Sequence, residues 1–345
     1  MGIIFKKSKN KISIGCFFIK FNAIKNEDLS KHNSIRIGGN AKYFVEPKTI
    51  KEFVKIIKFC KQNDVAYYIL GNGTKVVFSD NGFCGVVICT KKLKQITKRK
   101  NIVCAMCGVN LFTLNRFLIQ NALAGLEFSY GIPGTVGGAM YMNAGAYGGD
   151  IGSFVQKVQV YDGKKIRVVK GKDLNFSYRK SAISQKSYVV LKVWLKLKMG
   201  NKNEIEKKCE EYFSKRKISQ PLETYNFGST FKKTNGIIAG KIIDNLGLKG
   251  VKINGAQIST LHGNFIINQN NATMQDVKDL ITLVKNKVYE SCGVWLEEEV
   301  IFVGDKKWFY TEIITHIQFI QVESIMQCTQ QVQYLKMLLL HKKKD

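Results

Sequence analysis

Histidine is scarce in this sequence, and its cysteines lack the spacing of metal sites. There are 4 histidines and 9 cysteines among 345 residues, and no second C-x-x-C pair accompanies the single one formed by Cys104 and Cys107. These two cysteines alternate with apolar residues, as in a strand. We therefore expect no metal site, and we interpret the pair as buried thiols in a reducing compartment.

Acidic residues are also few, with 26 Asp and Glu against 54 Lys and Arg, which leaves a net charge of +28. Nearly all of the positive charge is lysine spread along the chain, without an arginine-rich arm or a basic-aromatic module. Because Lys, Ile and Asn share A- and T-rich codons, nucleotide bias explains the charge, and we expect no specific nucleic-acid partner. Each of the six arginines is informative, since lysine serves wherever charge alone is needed.

Signals for secretion or membrane insertion are missing as well. A short apolar patch at 12–19 ends at Lys20, and no small-residue cleavage site follows it. Residues 128–149 carry no charge, but glycine and proline stand where a spanning helix needs large aliphatic residues. We expect a cytoplasmic protein that does not insert into a membrane.

The uncharged stretch 128–149 is instead typical of a ligand-binding backbone. Glycine lacks a Cβ, so it permits positive φ angles and lets backbone N–H groups approach a ligand closely. Together with Ser129, Thr135 and Asn143, this backbone suits a buried diphosphate. The alternative, a glycine-rich surface loop, does not explain the long exclusion of charge. The stretch is neither a G-x-G-x-x-G fingerprint nor a P-loop.

The first half of the chain alternates between helical and strand-like segments. Thr49 and Glu52 form a capping-box signature before a helix that ends near Gln62. The turn G-N-G-T at 71–74 presents backbone donors at the end of a strand. We predict strands at 65–70, 85–90 and 102–107, and a helix over 110–121.

The second half begins with a hairpin whose D-G turn lies at 162–163. A charged helix at 203–216 is interpreted as the joint to another domain. We further predict a strand at 189–197, a helix at 236–246, a strand pair within 256–268, a helix at 274–290 and a strand at 294–302. On such a strand Glu297 and Glu299 would point to the side of Trp295 and Ile301, which favours a partly buried carboxylate.

A series of short motifs carries a family resemblance. They are R-I-G-G-x-A at 36–41, G-N-G-T at 71–74, I-P-G-T-V-G-G-A at 132–139, M-N-A-G-A-Y-G-G at 142–149, F-S-Y-R-K-S at 176–181, P-L-E at 221–223, G-S-T-F-K at 228–232, G-L-K-G at 247–250, G-A-Q-I-S at 255–259 and L-E-E-E-V at 296–300. In this order, they make the chain resemble the UDP-N-acetylenolpyruvoylglucosamine reductases, flavoenzymes that complete UDP-N-acetylmuramate in peptidoglycan synthesis. The resemblance covers about residues 30–304.

The resemblance implies an α+β protein with a vanillyl-alcohol-oxidase-type two-part FAD-binding domain and a C-terminal α+β substrate-binding domain. We expect an N-terminal extension at 1–30, an FAD-binding domain at 31–200 divided near residue 90, a substrate-binding domain at 201–304 and a low-information tail at 305–345. The short spacing after Arg179 resembles the type II branch. Two positions depart from the family pattern, because Lys233-Thr234 and Glu298 stand where the family usually has proline.

The resemblance also implies the chemistry, in which NADPH reduces FAD and the flavin N5 delivers hydride to C3 of the enolpyruvyl group. Arg179 would hold the substrate carboxylate through its planar fork of donors. Glu299 would lie beside that carboxylate, and burial against another anion would raise its pKa. Ser229 would protonate C2 as a general acid.

The remaining assignments rest on the same resemblance. Tyr178, Lys232 and Gln257 are expected substrate contacts, and the substrate is a UDP-sugar bound by a monomer. The expected FAD contacts are Gly71, Asn72, Gly73, Thr74, Gly131, Pro133, Gly134, Thr135, Gly137, Gly138, Asn143, Gly145 and Ala146. Three other hypotheses stay open: a flavoprotein oxidase with another substrate, an anionic-surface binder, and a folded but inactive copy.

Overall fold

The computed structural model describes residues 14–234 and 236–304. The predicted tail at 305–345 and the first 13 residues of the predicted N-terminal extension lie outside them. The α+β class is confirmed. Helices span Ile14–Ile19, Ile50–Gln62, Leu111–Gln120, Val136–Met142, Ala182–Gln185, Lys202–Ser219, Ala239–Asn245 and Met274–Cys292.

The first sheet is mixed and lies early in the chain. Its strands, in spatial order, are Ile24–Asp28, Asn40–Val45, Phe83–Cys89 and Tyr67–Leu70. The first pair is antiparallel and the others are parallel. The crossover helix Ile50–Gln62 begins as predicted, because the hydroxyl of its N-cap Thr49 accepts a 3.1 Å hydrogen bond from the N–H of Glu52.

The second sheet is antiparallel and contains the predicted hairpin. Its strands, in spatial order, are Ile166–Lys170, Val155–Tyr161, Val189–Lys196, Ile102–Met106 and Ile96–Arg99. Val86 and Ile88 of the first sheet and Val158 and Val193 of the second belong to one continuous buried cluster. The two sheets therefore share a hydrophobic core.

Residues 14–30 contribute to this part of the fold. Phe17 and Phe18 are buried in the shared core, and the Phe17 ring stacks on Phe59 of the crossover helix at 3.5 Å between centroids. The strand Ile24–Asp28 completes the edge of the first sheet. The domain division stays a proposal, and these contacts favour a flavin domain that begins before residue 31.

The third sheet forms the C-terminal part with its own core. Its antiparallel strands are, in spatial order, Asn226–Ser229, Phe265–Asn268, Ala256–Ile258 and Lys252–Ile253. The helix Met274–Cys292 buries Val277, Leu280, Ile281, Val284 and Val288 against this sheet, at the spacing of one helical face. Its N-cap Thr273 forms a capping box with Asp276.

One predicted strand is corrected. Residues 294–300 form no regular strand, and extended pairing resumes only at Ile301–Val303. In the glycine-rich stretch, for which the sequence predicted no helix, residues Val136–Met142 are helical. Remaining short strands are Val76–Phe78, Leu123–Ala124, Gly145–Ala146, Gly149–Asp150 and Lys198–Met199.

The longest helices, Lys202–Ser219 and Met274–Cys292, have 18 and 19 residues. Neither these nor any other helix in the described ranges is apolar and long enough to cross a membrane.

Candidate active site

The helix Val136–Met142 fixes the glycine-rich stretch against the second sheet. The N–H of Val136 donates to the carbonyl of Val109, and the N–H of Gly137 donates to the carbonyl of Cys107, both at 2.8 Å. Gly138 N–H donates to the hydroxyl of the N-cap Thr135 at 3.3 Å. A Cβ on Gly137 would lie 3.0 Å from the Cβ of Cys107. Gly137 thus serves close packing, and the N–H groups of Gly137 and Gly138 are both used within the protein. Their assignment as FAD contacts stays a prediction that these bonds do not favour.

The G-N-G-T turn lies directly on this stretch. Asn72 Nδ2 donates to the carbonyl of Pro133 at 2.6 Å. A Cβ on Gly71 would stand 2.5 Å from the hydroxyl oxygen of Thr135. Gly73 has a φ of +71°, and a Cβ there would meet the carbonyl oxygen of His32 at 2.3 Å. Glycine at these positions therefore allows the two predicted cofactor segments to meet.

This turn presents backbone donors, as predicted. Within residues 14–234 and 236–304, no hydrogen bond leaves the backbone N–H of Asn72, Gly73 or Thr74. Gly73 is buried, and a buried donor without an acceptor is unfavourable unless a ligand satisfies it. Consecutive free N–H groups of this kind suit an anionic group such as a diphosphate.

Arg216 is a buried cation that the sequence reasoning did not select as a site residue. Its side chain lies against Gly131, where an added Cβ would be 3.4 Å from Arg216 Cδ, and its guanidinium is 5.8 Å from the ring centre of Tyr147. Arg216 is 7% exposed, and its Nε finds no hydrogen-bond partner among the described residues. Burial lowers its pKa. An orphaned arginine N–H beside the glycine-rich stretch fits FAD, whose diphosphate is anionic.

Asn143 connects the glycine-rich stretch to the segment that carries Arg179. It ends the helix in the left-handed conformation, with φ 42°. Its Oδ1 accepts from the N–H of Gly152 at 3.0 Å, and its Nδ2 donates to the carbonyl of Ser177 at 2.9 Å. This amide is therefore used within the protein, and its assignment as an FAD contact stays a prediction. Of the other expected contacts, Gly134 accepts from Leu111 N–H, and Gly145–Ala146 pairs with Gly149–Asp150.

Arg179 lies at a tight turn closed by reciprocal hydrogen bonds between the backbones of Ser177 and Lys180 at 3.0 and 3.1 Å. Its φ of 54° is unusual for a residue with a side chain, and such conformations cluster at functional sites. Its Nη2 lies 3.4 Å from the carbonyl oxygen of Gly145. The turn therefore aims the guanidinium at the glycine-rich stretch.

Two members of the predicted catalytic trio, Arg179 and Glu299, are in contact although they are far apart in sequence, and Ser229 precedes a residue that bonds the Glu299 backbone. Arg179 Nε donates to Glu299 Oε1 at 2.5 Å. Glu299 is 5% exposed, and its N–H donates to the carbonyl of Thr230 at 2.8 Å, next to Ser229. Ser229 ends the strand Asn226–Ser229, and its Oγ has no hydrogen-bond partner in the described part of the chain. Two cations of the protein, Arg179 and Lys75, flank the Glu299 carboxylate, and its expected place beside the substrate carboxylate stays a prediction.

Lys75 is the second of these cations, and the sequence reasoning missed it. Its Nζ donates to the carbonyl of Ser229 at 2.5 Å and lies 3.6 Å from Glu299 Oε2. A lysine in a lysine-rich chain carries no signal by itself. Its position directly after the G-N-G-T turn is the feature that could have drawn attention to it.

Comparisons with known proteins agree with this geometry. The FAD binding domain family matches residues 41–169, and the C-terminal domain family of UDP-N-acetylenolpyruvoylglucosamine reductase matches residues 220–303. A reductase of that name from Caldanaerobacter subterraneus is 40% identical over 81% of this chain and 93% of its own length. The chain belongs to the UDP-N-acetylenolpyruvoylglucosamine reductase family.

Other members of this reductase family give the same result. The relative from Listeria innocua is 41% identical over 83% of this chain and 96% of its own length. The crystal structure of the reductase from Thermus caldophilus superposes with a TM-score of 0.69 at 32% identity, covering 81% of this chain and 98% of that one.

The two departures from the reductase pattern are accommodated by polar contacts. The N–H of Lys233 donates to the hydroxyl of Tyr178 at 3.0 Å, a bond that a proline at that position could not make. Glu298 pairs with Lys285 at 2.8 Å. Trp295 and Glu297 are exposed, so the expectation that they share a side with the buried Glu299 is wrong.

The three expected substrate contacts lie at different distances from the predicted catalytic residues. The Tyr178 ring lies 5.1 Å from the Arg179 guanidinium, so it adjoins the trio. Lys232 follows Phe231 and forms an ion pair with Glu297. Gln257 is 8% exposed and donates to the carbonyl of Gly250 at 3.0 Å, with no hydrogen bond to the trio. All three assignments stay predictions.

Proposed function

We propose that this chain is a flavin-dependent oxidoreductase that reduces the enolpyruvyl group of UDP-N-acetylglucosamine-enolpyruvate to UDP-N-acetylmuramate with NADPH, a step of peptidoglycan synthesis. The observation that carries the proposal is the ion pair of Arg179 with the buried Glu299 beside the glycine-rich stretch, with the Ser229 carbonyl joined to Glu299 through Lys75. We further propose that it works as a cytoplasmic monomer.

Four donors that lack partners among the described residues would hold FAD. They are the N–H groups of Asn72, Gly73 and Thr74 and the Nε of Arg216, which fit its diphosphate. Bound there, the cofactor would supply to C3 of the enolpyruvyl group a hydride that comes from NADPH.

Arg179 stabilises the charge that develops on the substrate carboxylate. An arginine has five N–H donors, and Glu299 engages Nε while Gly145 faces Nη2. The remaining donors are available to a carboxylate in a guanidinium plane that Glu299 already orients. A preorganised donor of this kind contributes about 3–4 kcal/mol to transition-state stabilisation.

Ser229 supplies the proton that completes the reduction at C2. Its hydroxyl is not bonded to any other described residue, and its backbone is held in the strand by pairing with Phe265. No histidine contacts it among the described residues, so the arrangement of an activated serine nucleophile is absent there. A general-acid role suits an isolated hydroxyl with a fixed backbone.

The test separates the two halves of the reaction. Purified protein should show a flavin spectrum, and NADPH oxidation should depend on the enolpyruvyl substrate. In anaerobic stopped-flow experiments, Ser229→Ala should leave the reduction of flavin by NADPH intact and slow the reoxidation of reduced flavin by substrate.

A general acid typically contributes 10²–10⁴-fold, so reoxidation should slow by at least roughly 100-fold. The matched control is Ser153→Ala, at a serine of the FAD-binding part whose N–H and hydroxyl both donate to Asp150. Folded protein that does not take up FAD, or wild-type protein that binds FAD without turnover of this substrate, would contradict the proposal.

A further inference from the structure

Lys75 is held at both of its ends. Its carbonyl accepts a hydrogen bond from the N–H of Ile301 at 2.8 Å, two residues after Glu299. At the other end, its ammonium contacts the carbonyl of Ser229 and the carboxylate of Glu299. About a quarter of the side chain is exposed, so the amine is largely withdrawn from water. These contacts hold the long, flexible side chain in one place instead of leaving it to move in solvent.

The residue Gly228 lies directly beside this amine. Gly228 has a φ of +75°, and a Cβ on it would stand 3.4 Å from Lys75 Nζ. The ammonium therefore passes beside the glycine to reach the carbonyl of Ser229, the next residue. Lys75 also directly follows the G-N-G-T turn, so one short segment contributes both the free N–H donors and this cation.

On the basis of the proposed function, we infer that Lys75 is a further positioning residue for the reduction of substrate, holding the Ser229 strand end and the Glu299 carboxylate in place relative to Arg179. Glu299 lies between two cations, with Arg179 on Oε1 and Lys75 on Oε2. Without Lys75, the carboxylate keeps one cationic partner and the Ser229 carbonyl loses its donor. The backbone at Ser229 and the carboxylate that orients Arg179 are then no longer held by the same side chain.

The electrostatics of this contact predict a pH dependence. Burial lowers the pKa of Lys75 to about 8, with Glu299 opposing the shift and Arg179 adding to it. As the pH rises through about 8, the amine loses its charge, and its attraction to Glu299 is lost with it. Lys75 therefore holds Glu299 fully when the pH is below about 8, and this attraction declines when the pH is higher.

The test uses the full chain with FAD bound and compares Lys75→Met with wild type. Met keeps much of the length and removes the charge. Reoxidation of reduced flavin by the enolpyruvyl substrate should slow by roughly 10- to 100-fold, the scale of a misplaced reacting group. Reduction of flavin by NADPH should be unchanged. Lys285→Met is the matched control, since Lys285 pairs with the adjacent Glu298 and is similarly shielded.

A pH series distinguishes positioning from a general structural effect. Wild-type reoxidation should decline above pH about 8, and this decline should be absent in Lys75→Met. Lys75→Arg, whose charge persists at high pH, should also lack it, which keeps the test decisive if the Met variant does not fold. Reoxidation in Lys75→Met within twofold of wild type, or an unchanged alkaline decline in Lys75→Arg, overturns the inference. Wild-type protein without substrate turnover would instead refute the proposed function.

Discussion

The contact between Gly71 and Thr135 gives a direct test of how the two FAD-binding segments meet. A Cβ at position 71 would lie 2.5 Å from Thr135 Oγ1, but 3.6 Å from the Cβ and Cγ2 of the same residue. The conflict in Gly71→Ala is therefore with a single oxygen atom. Removing that atom in Gly71→Ala/Thr135→Ala should relieve it.

The expected loss of FAD affinity can be worked out for Gly71→Ala and for Thr135→Ala separately. Overpacking by one methyl group costs about 1–3 kcal/mol. Without FAD, the protein can relieve the overlap by moving the G-N-G-T turn. Bound FAD requires the N–H groups of the turn to stay in place, so the cost of the overlap lowers the affinity for FAD. At 1.4 kcal/mol per tenfold, Gly71→Ala should weaken FAD binding roughly 5- to 150-fold. Thr135→Ala alone removes the N-cap of Val136–Met142, a loss of ~1 kcal/mol.

The assay is FAD titration of deflavinated protein, followed by flavin fluorescence, for a double-mutant cycle. Gly71→Ala/Thr135→Ala should bind FAD more tightly than Gly71→Ala, since the relief exceeds the loss of the cap. Gly71→Ala/Thr135→Ser keeps the hydroxyl oxygen and should bind as weakly as Gly71→Ala. Equal affinity of the Ser and Ala double variants would refute the reasoning, because the oxygen would then not be the obstacle.

Two further outcomes are expected. Arg179→Lys keeps the positive charge, but a lysine cannot bond Glu299 and Gly145 and also present two parallel donors to a carboxylate. Reoxidation of the flavin by substrate should therefore slow by roughly 100-fold. A change below threefold would contradict the proposed role of Arg179. In the hairpin turn, hydrogen bonds from the N–H groups of Lys165 and Lys164 lower the pKa of Asp162 to about 2 from 3.8. The stabilisation of the turn by the Asp162 carboxylate is complete above pH about 4 and is lost as the pH falls through about 2. The protection of the turn amides, relative to the intrinsic exchange rate at each pH, should therefore fall over that window in wild type and not in Asp162→Asn.

Local signals in the sequence predicted the regular elements well. The Thr49–Glu52 cap marked the start of Ile50–Gln62, and the apolar spacing marked the helix found at Met274–Cys292. These signals succeed because capping bonds and helical faces join residues only a few positions apart. The G-N-G-T turn was predicted only as a source of backbone donors, and the structure adds that a Cβ at position 71 or 73 would meet Thr135 or His32.

The prediction was wrong at 294–302, where alternating side chains were assumed to form a strand. Such a strand would place Glu297 and Glu299 on one side, but residues 294–300 follow an irregular path that buries Glu299 and exposes Glu297. The helix Val136–Met142 was missed because its glycines disfavour helix intrinsically. Its stability comes from the Thr135 cap and the carbonyls of Val109 and Cys107.

By itself, the sequence determined the class of the protein and the order of most of its elements, and it selected Arg179, an arginine retained in a lysine-rich chain, as a candidate. Only the tertiary structure decided which charges surround Glu299 and which donors remain free. Lys75 and Ser229 are 154 positions apart, and Arg179 and Glu299 are 120 apart. Such contacts depend on how the core around Ile35, Val77 and Phe227 brings distant segments together, and no local pattern encodes that distance.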